Sequence, residues 1–494
     1  MKKIILFISA IAILASCSDF LVEDTSTIMS ADSEVMKTEK GLNSALVGMY
    51  KPLSFTWRTG LGNSSTQGVC LGDDILTTHK ASNKADFREF DQFNVTDINY
   101  RLQFIWDGAY KSIQGCNLII DNYEDATGDK NVINQIAGEA YFLRAYNYFW
   151  IARMWEKAPL MLHSQNFELE YLSINASTQE EIYNQILADC DKAVETMTSD
   201  TRVQPGRAGK ASALALKAEA LLHMAGHPLK QTNRYAEAAA VAKNLIDNKA
   251  KYGLGLLPDF ANLWKAANDG NSEEIFALTF IGTTDNWNGN ALYGAANRPG
   301  DEGGWDDIMC ELTFFNSYPE QYRKTATFKT FVETKIKGQL VKIPWQQFKT
   351  GRPYFKKFEG EANNWYLAQS LPLERFAEVY FIYAEAEIMA GGSKTSAAEA
   401  LNKIVRRANN LPMDSPSAFD YTADQMTQDL VLKEKSYEFA GEWVRWFDLV
   451  RTEKVEQANA TKDPDDIQPE GSITKDDYFM PIPATETQVN KNLK

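Results

Sequence analysis

Apolar residues recur at steps of three and four along several stretches of the chain, which is the spacing of one face of an amphipathic helix. The clearest stripe consists of Ala211, Leu214, Ala215, Ala218, Leu221, Leu222 and Ala225. A second stripe consists of Tyr183, Leu187, Cys190, Val194 and Met197. Because a helix with one apolar face must bury it, a chain with several such stripes has to pack helix against helix.

The stripes come in consecutive pairs separated by short breaks. Gly391-Gly392 divides one pair, and Gly226 with Pro228 divides another. Small alanines at the expected contacts let two helices approach closely, which is typical of tetratricopeptide-like repeats. We predict an all-α, tetratricopeptide-like fold of about four helix pairs with long irregular inserts and a few short strands. The pairs are residues 134–156 with 179–197, 207–226 with 234–249, 374–390 with 395–409, and 424–440 with 442–452.

Two long stretches without helical period interrupt this scaffold, at residues 54–97 and 252–372. Stretches of this length inside a compact domain are usually functional or disordered, and these are too rich in Trp, Tyr and Phe for disorder. We predict that they are ordered, ligand-binding inserts on a helical scaffold at 98–250 and 374–452. Since no Pro/Ser-rich linker divides the chain, residues 17–494 are predicted to form a single domain.

The N terminus has the order of a bacterial export signal. Two lysines precede an apolar run at residues 4–15, and Leu14-Ala15-Ser16-Cys17 follows the pattern of a lipobox. The run is shorter than the ~20 apolar residues of a membrane-spanning helix. We predict that residues 1–16 are removed as a lipoprotein signal peptide and that the Cys17 thiol carries the lipid anchor. The alternative is an ordinary secretory signal with an incidental cysteine.

Removal of residues 1–16 takes away two lysines and moves the formal net charge from −15 to −17. A surface this acidic is a poor partner for nucleic acid or anionic lipid. The remaining cysteines are widely spaced and form no CxxC pair, so neither a disulfide framework nor a zinc site is predicted. We expect no metal and no cofactor.

The residues of common catalytic motifs are nearly absent. The chain has four histidines and neither an HExxH nor a GxSxG motif. His223 and His227 lie four residues apart, but two ligands without a third favour a helix end over a metal site. The acid pairs Asp73-Asp74 and Asp306-Asp307 leave a glycosidase open, since such enzymes use two carboxylates. Adjacency alone gives no catalytic geometry, so we predict no catalytic residue.

Six of the eleven tryptophans lie in or beside the two inserts, which makes the inserts the candidate binding surface. The flat face of a pyranose ring stacks on an indole, and its hydroxyls bind polar side chains at the rim of that contact. The mixture of aromatic and polar residues that this requires is found at Trp287, Asn288, Tyr293, Arg298 and Trp305. We predict that these five residues bind ligand. The alternative for each tryptophan is a plug that packs a loop onto the helices.

Several blocks in order along the chain resemble the SusD/RagB family of surface lipoproteins. The most recognisable block runs from Gly138 to Ala145 and continues to Ala158-Pro159-Leu160. Gly206-Arg207-Ala208 and the segment from Tyr380 to Ala386 are similar to later helices of that family. The C-terminal signature is matched by Glu434, Tyr437-Glu438-Phe439, Gly441-Glu442, Arg445-Trp446-Phe447-Asp448-Leu449, Arg451 and Phe479-Met480-Pro481-Ile482-Pro483. The resemblance covers essentially the whole chain.

The resemblance implies a right-handed tetratricopeptide-like superhelix with ligand residues on the inserts. It also implies a lipid-anchored, surface-exposed location on the outer membrane and a SusC-like TonB-dependent transporter as partner, which the lipoprotein covers as a hinged lid. The ligand would be an oligosaccharide, or an oligopeptide as in the RagB branch. By position, Thr78, His79 and Asn83 join the site. The sequence also leaves open a lipid-anchored glycosidase and a purely structural lid.

Some residues of these motifs are predicted to have structural roles. Arg445 and Asp448 lie three residues apart on one helical face, so we predict an ion pair between them. Trp264 follows an apolar stretch that begins at Leu257, as expected of a side chain that plugs a loop onto the helices. Cys190 falls on an apolar helical face and is predicted to belong to the core.

Overall fold

The structure is a computed structural model that describes residues 34–53, 68–80, 84–165, 167–280, 296–358 and 369–494. Within these ranges the α-helices are α1 (Glu39–Tyr50), α2 (Ala85–Asp91), α3 (Tyr100–Asn122), α4 (Lys130–Met154), α5 (Phe167–Tyr171), α6 (Gln179–Thr196), α7 (Lys210–Ala225), α8 (Arg234–Asp247), α9 (Leu312–Ser317), α10 (Tyr322–Thr327), α11 (Phe376–Met389), α12 (Lys394–Ala408), α13 (Gln428–Glu438), α14 (Arg445–Arg451), α15 (Val455–Asn459) and α16 (Ala484–Val489). None of them is long and apolar enough to cross a membrane.

The strands of the described residues are short and form five two-stranded antiparallel sheets. They are β1 (Leu76–Thr77), β2 (Lys157–Ala158), β3 (Ser177–Thr178), β4 (Glu274–Leu278), β5 (Met309–Cys310), β6 (Phe328–Lys329), β7 (Phe331–Ile336), β8 (Gln339–Pro344), β9 (Tyr354–Phe355) and β10 (Leu371–Arg375). The pairs are β1 with β5, β2 with β3, β4 with β10, β6 with β9, and β7 with β8. No larger sheet forms among the described residues, so the fold rests on its helices.

The predicted all-α fold is confirmed, and every helix of the four predicted pairs is present. The first three pairs pack as hairpins, with α4 on α6, α7 on α8, and α11 on α12. In the fourth predicted pair, α13 packs chiefly on α11. Between pairs, α3 packs on α4, α6 on α7, and α8 on α11. The row from α3 to α12 is therefore continuous, as in a tetratricopeptide-like superhelix.

Small side chains and a glycine allow the close helix contacts. Ala218 on α7 and Ala238 and Ala242 on α8 have no exposed surface. Their size lets the two helix backbones lie close together. After α11, Gly391 takes a φ of +75°, a left-handed conformation that an L side chain rarely adopts, so the chain can turn directly into α12.

The hairpin of α4 and α6 is held by polar contacts as well as by its apolar faces. α6 begins with a capping box, in which Glu181 N donates to Thr178 Oγ1 at 3.3 Å and Thr178 N donates to Glu181 Oε2 at 2.8 Å. Arg144 on α4 donates two hydrogen bonds to the carboxylate of Asp189 on α6, at 2.8 and 2.7 Å. Both side chains are buried, so this two-point contact fixes the relative position of the helices.

The inserts contain more regular structure than the sequence predicts. Helix α2 lies in the first insert, and α9 and α10 lie in the second. Trp264 is buried and meets Phe260 and Phe358 edge-to-face, with ring centroids 5.8 and 5.7 Å away, so it is the predicted plug. Cys190 is a buried free thiol in the core, also as predicted.

The predicted ion pair between Arg445 and Asp448 is wrong. Arg445 donates instead to both carboxylate oxygens of Asp74, at 2.7 and 2.8 Å. Asp448 Oδ1 accepts from Arg451 Nε at 2.9 Å and from Lys435 Nζ at 3.2 Å. Arg445 is the first residue of α14, and its side chain reaches the loop before β1. A spacing of three residues allows a contact, but closer partners outside the pair decide which contact forms.

Eight buried side chains form a charge-balanced ion network where the second insert meets the helices. Its cations are Arg323, Lys357, Arg375 and Arg407, and its anions are Glu273, Glu434, Glu438 and Glu442. At its centre, Glu438 accepts from Arg323 at 2.9 Å, Arg375 at 3.2 Å and Arg407 at 2.6 Å. Burial alone would raise the pKa of Glu438, but Arg407, Arg375 and Arg323 hold it well below its ordinary value. Glu438 is therefore a fully buried carboxylate that stays charged.

Candidate functional site

The two inserts meet in the two-stranded antiparallel sheet formed by β1 and β5. Leu76 pairs with Cys310, and Thr77 pairs with Met309. Directly after β1, Thr78 Oγ1 donates to the backbone oxygen of Asp307 at 2.7 Å. Segments that lie more than 200 residues apart in the chain are thus joined through backbone and side-chain hydrogen bonds. The junction brings two of the predicted binding segments together.

A buried ion pair between Asp91 and Lys462 stabilises this junction. The carboxylate of Asp91, at the end of α2, accepts from Thr77 Oγ1 at 3.0 Å and from Thr78 N at 3.1 Å. Its other oxygen pairs with the ammonium of Lys462. Both side chains of this pair are fully buried. Asp91 therefore links β1 to the C-terminal part of the chain.

The acid pair before β1 also has a structural role. Asp73 Oδ1 accepts from the backbone N–H groups of Ile75 and Leu76, at 2.8 and 2.7 Å. Burial and the neighbouring charge of Asp74 raise the pKa of Asp73 to about 8. Asp74 is bound by Arg445, whose guanidinium lowers the Asp74 pKa although burial acts in the opposite direction. These carboxylates shape the turn that leads into β1.

A tight turn in the second insert carries Trp305. Glu302 N and Gly304 N both donate to Pro299 O, at 2.9 and 3.0 Å. Gly303 has a φ of +77°, which L side chains rarely adopt, and a Cβ at Gly304 would lie 1.9 Å from the backbone oxygen of Arg298. The turn therefore favours glycine at both positions. The turn is closed by Asp306, whose Oδ1 accepts from Gly300 N at 2.6 Å.

Trp305 lies half-buried on this turn, facing the first insert. The Lys84 ammonium is 5.6 Å from the centroid of its ring and 3.9 Å from Asp307 Oδ2. Burial raises the pKa of Asp307 to about 6, although the charge of Lys84 opposes this shift. We call the region formed by Trp305, Lys84 and Asp307 the Trp305 surface. It combines an aromatic ring, a cation and a carboxylate, which is a mixture that can hold a polyhydroxylated ligand.

Of the predicted ligand residues, Trp305 lies on this surface, and two more lie close to it in the chain. His79 and Arg298 are half-buried, next in the chain to the junction and the turn. Thr78 is only 3% exposed and its hydroxyl is engaged with Asp307, so it supports the surface from beneath instead of lining it. Trp287, Asn288, Tyr293 and Asn83 lie outside the described residues. Trp305 lines neither of two clefts of 780 and 910 Å³.

Sequence reasoning misses Lys84 and Asp307 as members of this surface. In the sequence Asp307 stands out as half of an acid pair and as one of the acidic residues that flank Trp305, and Lys84 follows Asn83 without any motif of its own. Nothing in the local pattern connects Lys84 to Trp305, because their contact depends on the pairing of β1 with β5. The predicted ligand residue Asn83, which directly precedes Lys84 in the chain, is the sequence feature nearest to this contact.

The remaining candidate acids and histidines are occupied by structural contacts. Asp306 Oδ1 accepts from the Tyr354 hydroxyl at 2.6 Å in addition to its contact with Gly300. His223 is buried edge-to-face against Phe149, with ring centroids 5.3 Å apart. Within the described ranges, no group of three or more His, Cys, Asp or Glu side chains is arranged to hold a metal ion.

Family models match three pieces of the chain and leave residues 223–278 unmatched. Residues 279–494 match the SusD family, and residues 19–222 match a family described as starch-binding and associating with the outer membrane. Residues 1–18 match the prokaryotic membrane lipoprotein lipid attachment site, which confirms the lipoprotein signal predicted around Cys17.

Relatives and solved structures agree with these matches. A SusD-like protein P2 of Formosa agariphila is 27% identical over 520 residues, covering 100% of this chain and 99% of the relative. A SusD superfamily protein of Parabacteroides distasonis has a TM-score of 0.77 at 20% identity, covering 92% of this chain and 97% of its own. Surface glycan-binding protein A of Bacteroides thetaiotaomicron, solved with laminarihexaose, has a TM-score of 0.75 at 18% identity, covering 92% and 99%. The chain belongs to the SusD-like family of lipoproteins.

Proposed function

We propose that this protein is a surface-exposed, glycan-binding lipoprotein that captures oligosaccharides and delivers them to a SusC-like TonB-dependent transporter in the outer membrane. The observation that carries the proposal is the pairing of β1 with β5, which places Lys84 beside the half-exposed indole of Trp305. Trp305 would stack on a sugar ring, and Lys84, Arg298 and His79 would bind its hydroxyls. Trp287, Asn288, Tyr293 and Asn83 remain proposed members of the same site.

The names of similar structures support a glycan as the ligand. Among structures with the same fold, one is described as a laminarin-binding SusD-like protein, and another was solved with laminarihexaose. Their identity to this chain is 21% and 18%, so the titration described below uses a panel of glycans that includes laminarin.

The contacts of the acidic residues support capture without catalysis. A glycosidase needs two carboxylates that flank a bound sugar, one as acid and the other as base or nucleophile. Asp73 is engaged with backbone N–H groups, Asp74 with Arg445, and Asp306 with Tyr354. Incubation with polysaccharide is expected to leave chain lengths unchanged, and product formation that is lost on substitution of a carboxylate would favour an enzyme.

Trp305→Ala is expected to weaken glycan binding by about tenfold, or about 1.4 kcal/mol, because the stacking surface is lost. Isothermal titration against a panel of soluble glycans that includes laminarin measures the change. The control is Phe419→Ala, which removes an exposed aromatic ring from the connection between α12 and α13. Unchanged affinity in the Trp305 variant would contradict the site.

The same titration separates a glycan ligand from a peptide ligand. A tryptic digest of casein is titrated as the source of peptide ligands. Heat from the digest, with none from any glycan, would favour the oligopeptide alternative. If Trp287→Ala and Trp305→Ala both leave the affinity unaltered, the alternative of a structural lid, whose partner holds the specificity, is favoured.

Delivery to a transporter requires a stable complex at the outer membrane. We expect the lipidated protein, extracted from outer membranes in mild detergent, to co-purify with a TonB-dependent transporter. Cys17→Ser is expected to release the protein from the membrane fraction, because lipid attachment needs the thiol. Protease added to intact cells should degrade the anchored protein, and protection from it would contradict exposure on the cell surface.

A further inference from the structure

A second aromatic cleft, of 910 Å³, lies beside an exposed β-hairpin in the second insert. The hairpin consists of β7 and β8, joined by Lys337 and Gly338, which both have positive φ as in a type I′ turn. Its strand β7 forms one wall of the cleft, while α9, α10 and β6 contribute the opposite side. We call this region the hairpin cleft. Its volume lies within the ordinary range of ligand sites.

The floor of the hairpin cleft is aromatic. Phe315 and Phe328 are buried and meet edge-to-face, with ring centroids 5.1 Å apart. Trp345 is half-buried and packs edge-to-face on Phe315 at 5.6 Å. Its indole N–H is not a buried atom, and no residue that the structure describes accepts a hydrogen bond from it. Trp345 therefore combines a fixed ring with a donor that water or a ligand must satisfy.

The rim of the hairpin cleft is polar and nearly neutral. The ammonium groups of Lys324 and Lys329 are paired with Glu320 and Glu302. A different set of three exposed side chains lines the cleft without a hydrogen-bond or ion-pair partner among the described residues, namely Asn316, Gln346 and Lys356. Two carboxamides and one cation next to an accessible indole provide donors and acceptors for sugar hydroxyls.

The hairpin cleft is continuous with the turn that carries Trp305. Glu302 lines the cleft and lies three residues before Trp305 in the chain. On the same turn, Asp301 Oδ2 accepts from the backbone N–H of Lys349, close in the chain to Trp345. Residues of one turn thus belong to the Trp305 surface and to the lining of the hairpin cleft.

We infer that the hairpin cleft is a second carbohydrate-binding subsite, which holds a pyranose unit of the glycan by stacking on Trp345 and hydrogen bonding to Asn316, Gln346 and Lys356. The inference rests on the proposed function only for the class of ligand. It predicts that the protein engages a glycan at two places instead of one. Affinity should then increase with glycan length beyond what the Trp305 surface alone provides.

Fluorine NMR of the mature protein labelled with 5-fluorotryptophan tests the two places separately. Trp345→Phe and Trp305→Phe identify the two resonances, since each variant loses one signal. The probes are laminarihexaose, cellohexaose, maltohexaose and xylohexaose, each titrated to millimolar concentration. At least one probe is expected to shift the Trp345 resonance. Asn316→Ala with Gln346→Ala, which keeps the aromatic floor intact, should weaken that response by about tenfold.

The pattern of shifts separates this inference from the proposed function. Shifts of Trp305 without shifts of Trp345 overturn the second subsite and leave the first in place. Shifts of Trp345 alone support the subsite and count against the Trp305 surface. No response of Trp345 to any probe overturns the inference. Val341→Ala, on the same hairpin but outside the cleft, serves as the matched control and should leave the Trp345 response unchanged.

Discussion

Replacing Glu438 by glutamine is expected to lower the free energy of unfolding by about 3 to 5 kcal/mol. The substitution keeps the size of the side chain but removes the charge that Arg323, Arg375 and Arg407 share. These guanidinium groups are buried, so water cannot replace the missing carboxylate. Urea denaturation followed by tryptophan fluorescence measures the change.

Glu333→Gln provides the control, since Glu333 is exposed and pairs with Lys342 on the surface at 3.5 Å. Exposed pairs contribute about 0 to 1 kcal/mol, so this variant should unfold almost as the parent does. Equal stability of the Glu438 and Glu333 variants would contradict the central role of the ion network.

The network also has a consequence for acid stability. Because the pKa of Glu438 is lowered in the folded state, its stabilisation is complete above the unfolded pKa of about 4.3 and is lost as pH falls further. The parent should therefore lose stability more steeply below about pH 4 than the glutamine variant, which has no such carboxylate to protonate. Urea midpoints measured between pH 3 and pH 7 test this difference.

Asp91→Ala is expected to cost about 3 to 5 kcal/mol and to weaken glycan binding at the Trp305 surface. It leaves the ammonium of Lys462 buried without its partner and removes the acceptor of Thr77 Oγ1 and Thr78 N. Without these contacts β1 loses its support, and Lys84 is no longer held beside Trp305. Urea denaturation and isothermal titration measure the two effects.

A double variant separates two effects of Asp91→Ala, the unpaired charge of Lys462 and the lost hydrogen bonds to Thr77 and Thr78. Burial raises the pKa of Asp91 in spite of Lys462, which indicates that desolvation of the pair is costly. Asp91→Ala combined with Lys462→Met should therefore recover most of the stability. Binding should stay weak, since Thr77 and Thr78 still lack their acceptor. A double variant as unstable as the single one would refute the explanation.

The helical scaffold was predictable because the features that identify a helix, its apolar spacing and its end, lie within a short stretch of sequence. The alanine stripe of α7 and the break at Gly391-Gly392 each identify a helix or its end within one window of sequence. The short helix α1 was not predicted. It carries glycines at positions 41 and 48, and burial of Leu42 and Leu46 against α3 and α4 stabilises it instead. Tertiary packing here overrides a weak local preference.

The polar interior was not predictable in the same way. The sequence indicated a contact between Arg445 and Asp448, yet their partners come from the loop before β1, from α13 and from the end of α14. A long charged side chain has many candidate partners within its reach. The choice among them depends on how the helices meet, and no window of sequence contains that information.

The candidate site could be predicted in part, less well than the helices and better than the buried polar contacts. The sequence points to Trp305 as a candidate binding residue through its insert and its polar neighbours, and this stays a prediction. Its contact with Lys84 was not, because strands of two residues are too short to show the alternation by which strands are identified. The sequence placed Thr78 on the ligand surface, but the hydrogen bond to Asp307 turns its hydroxyl inward.

The pairing of β1 with β5 also has a consequence for the order of folding. A contact across such a long stretch of chain closes a large loop, and contacts of this kind form late and raise the contact order of a protein. The helical hairpins can assemble earlier, since their partners are near neighbours in the chain. A partly folded molecule would thus already hold its scaffold while Lys84 and Trp305 are still apart. Glycan affinity should therefore be among the last properties to return when the unfolded chain is renatured.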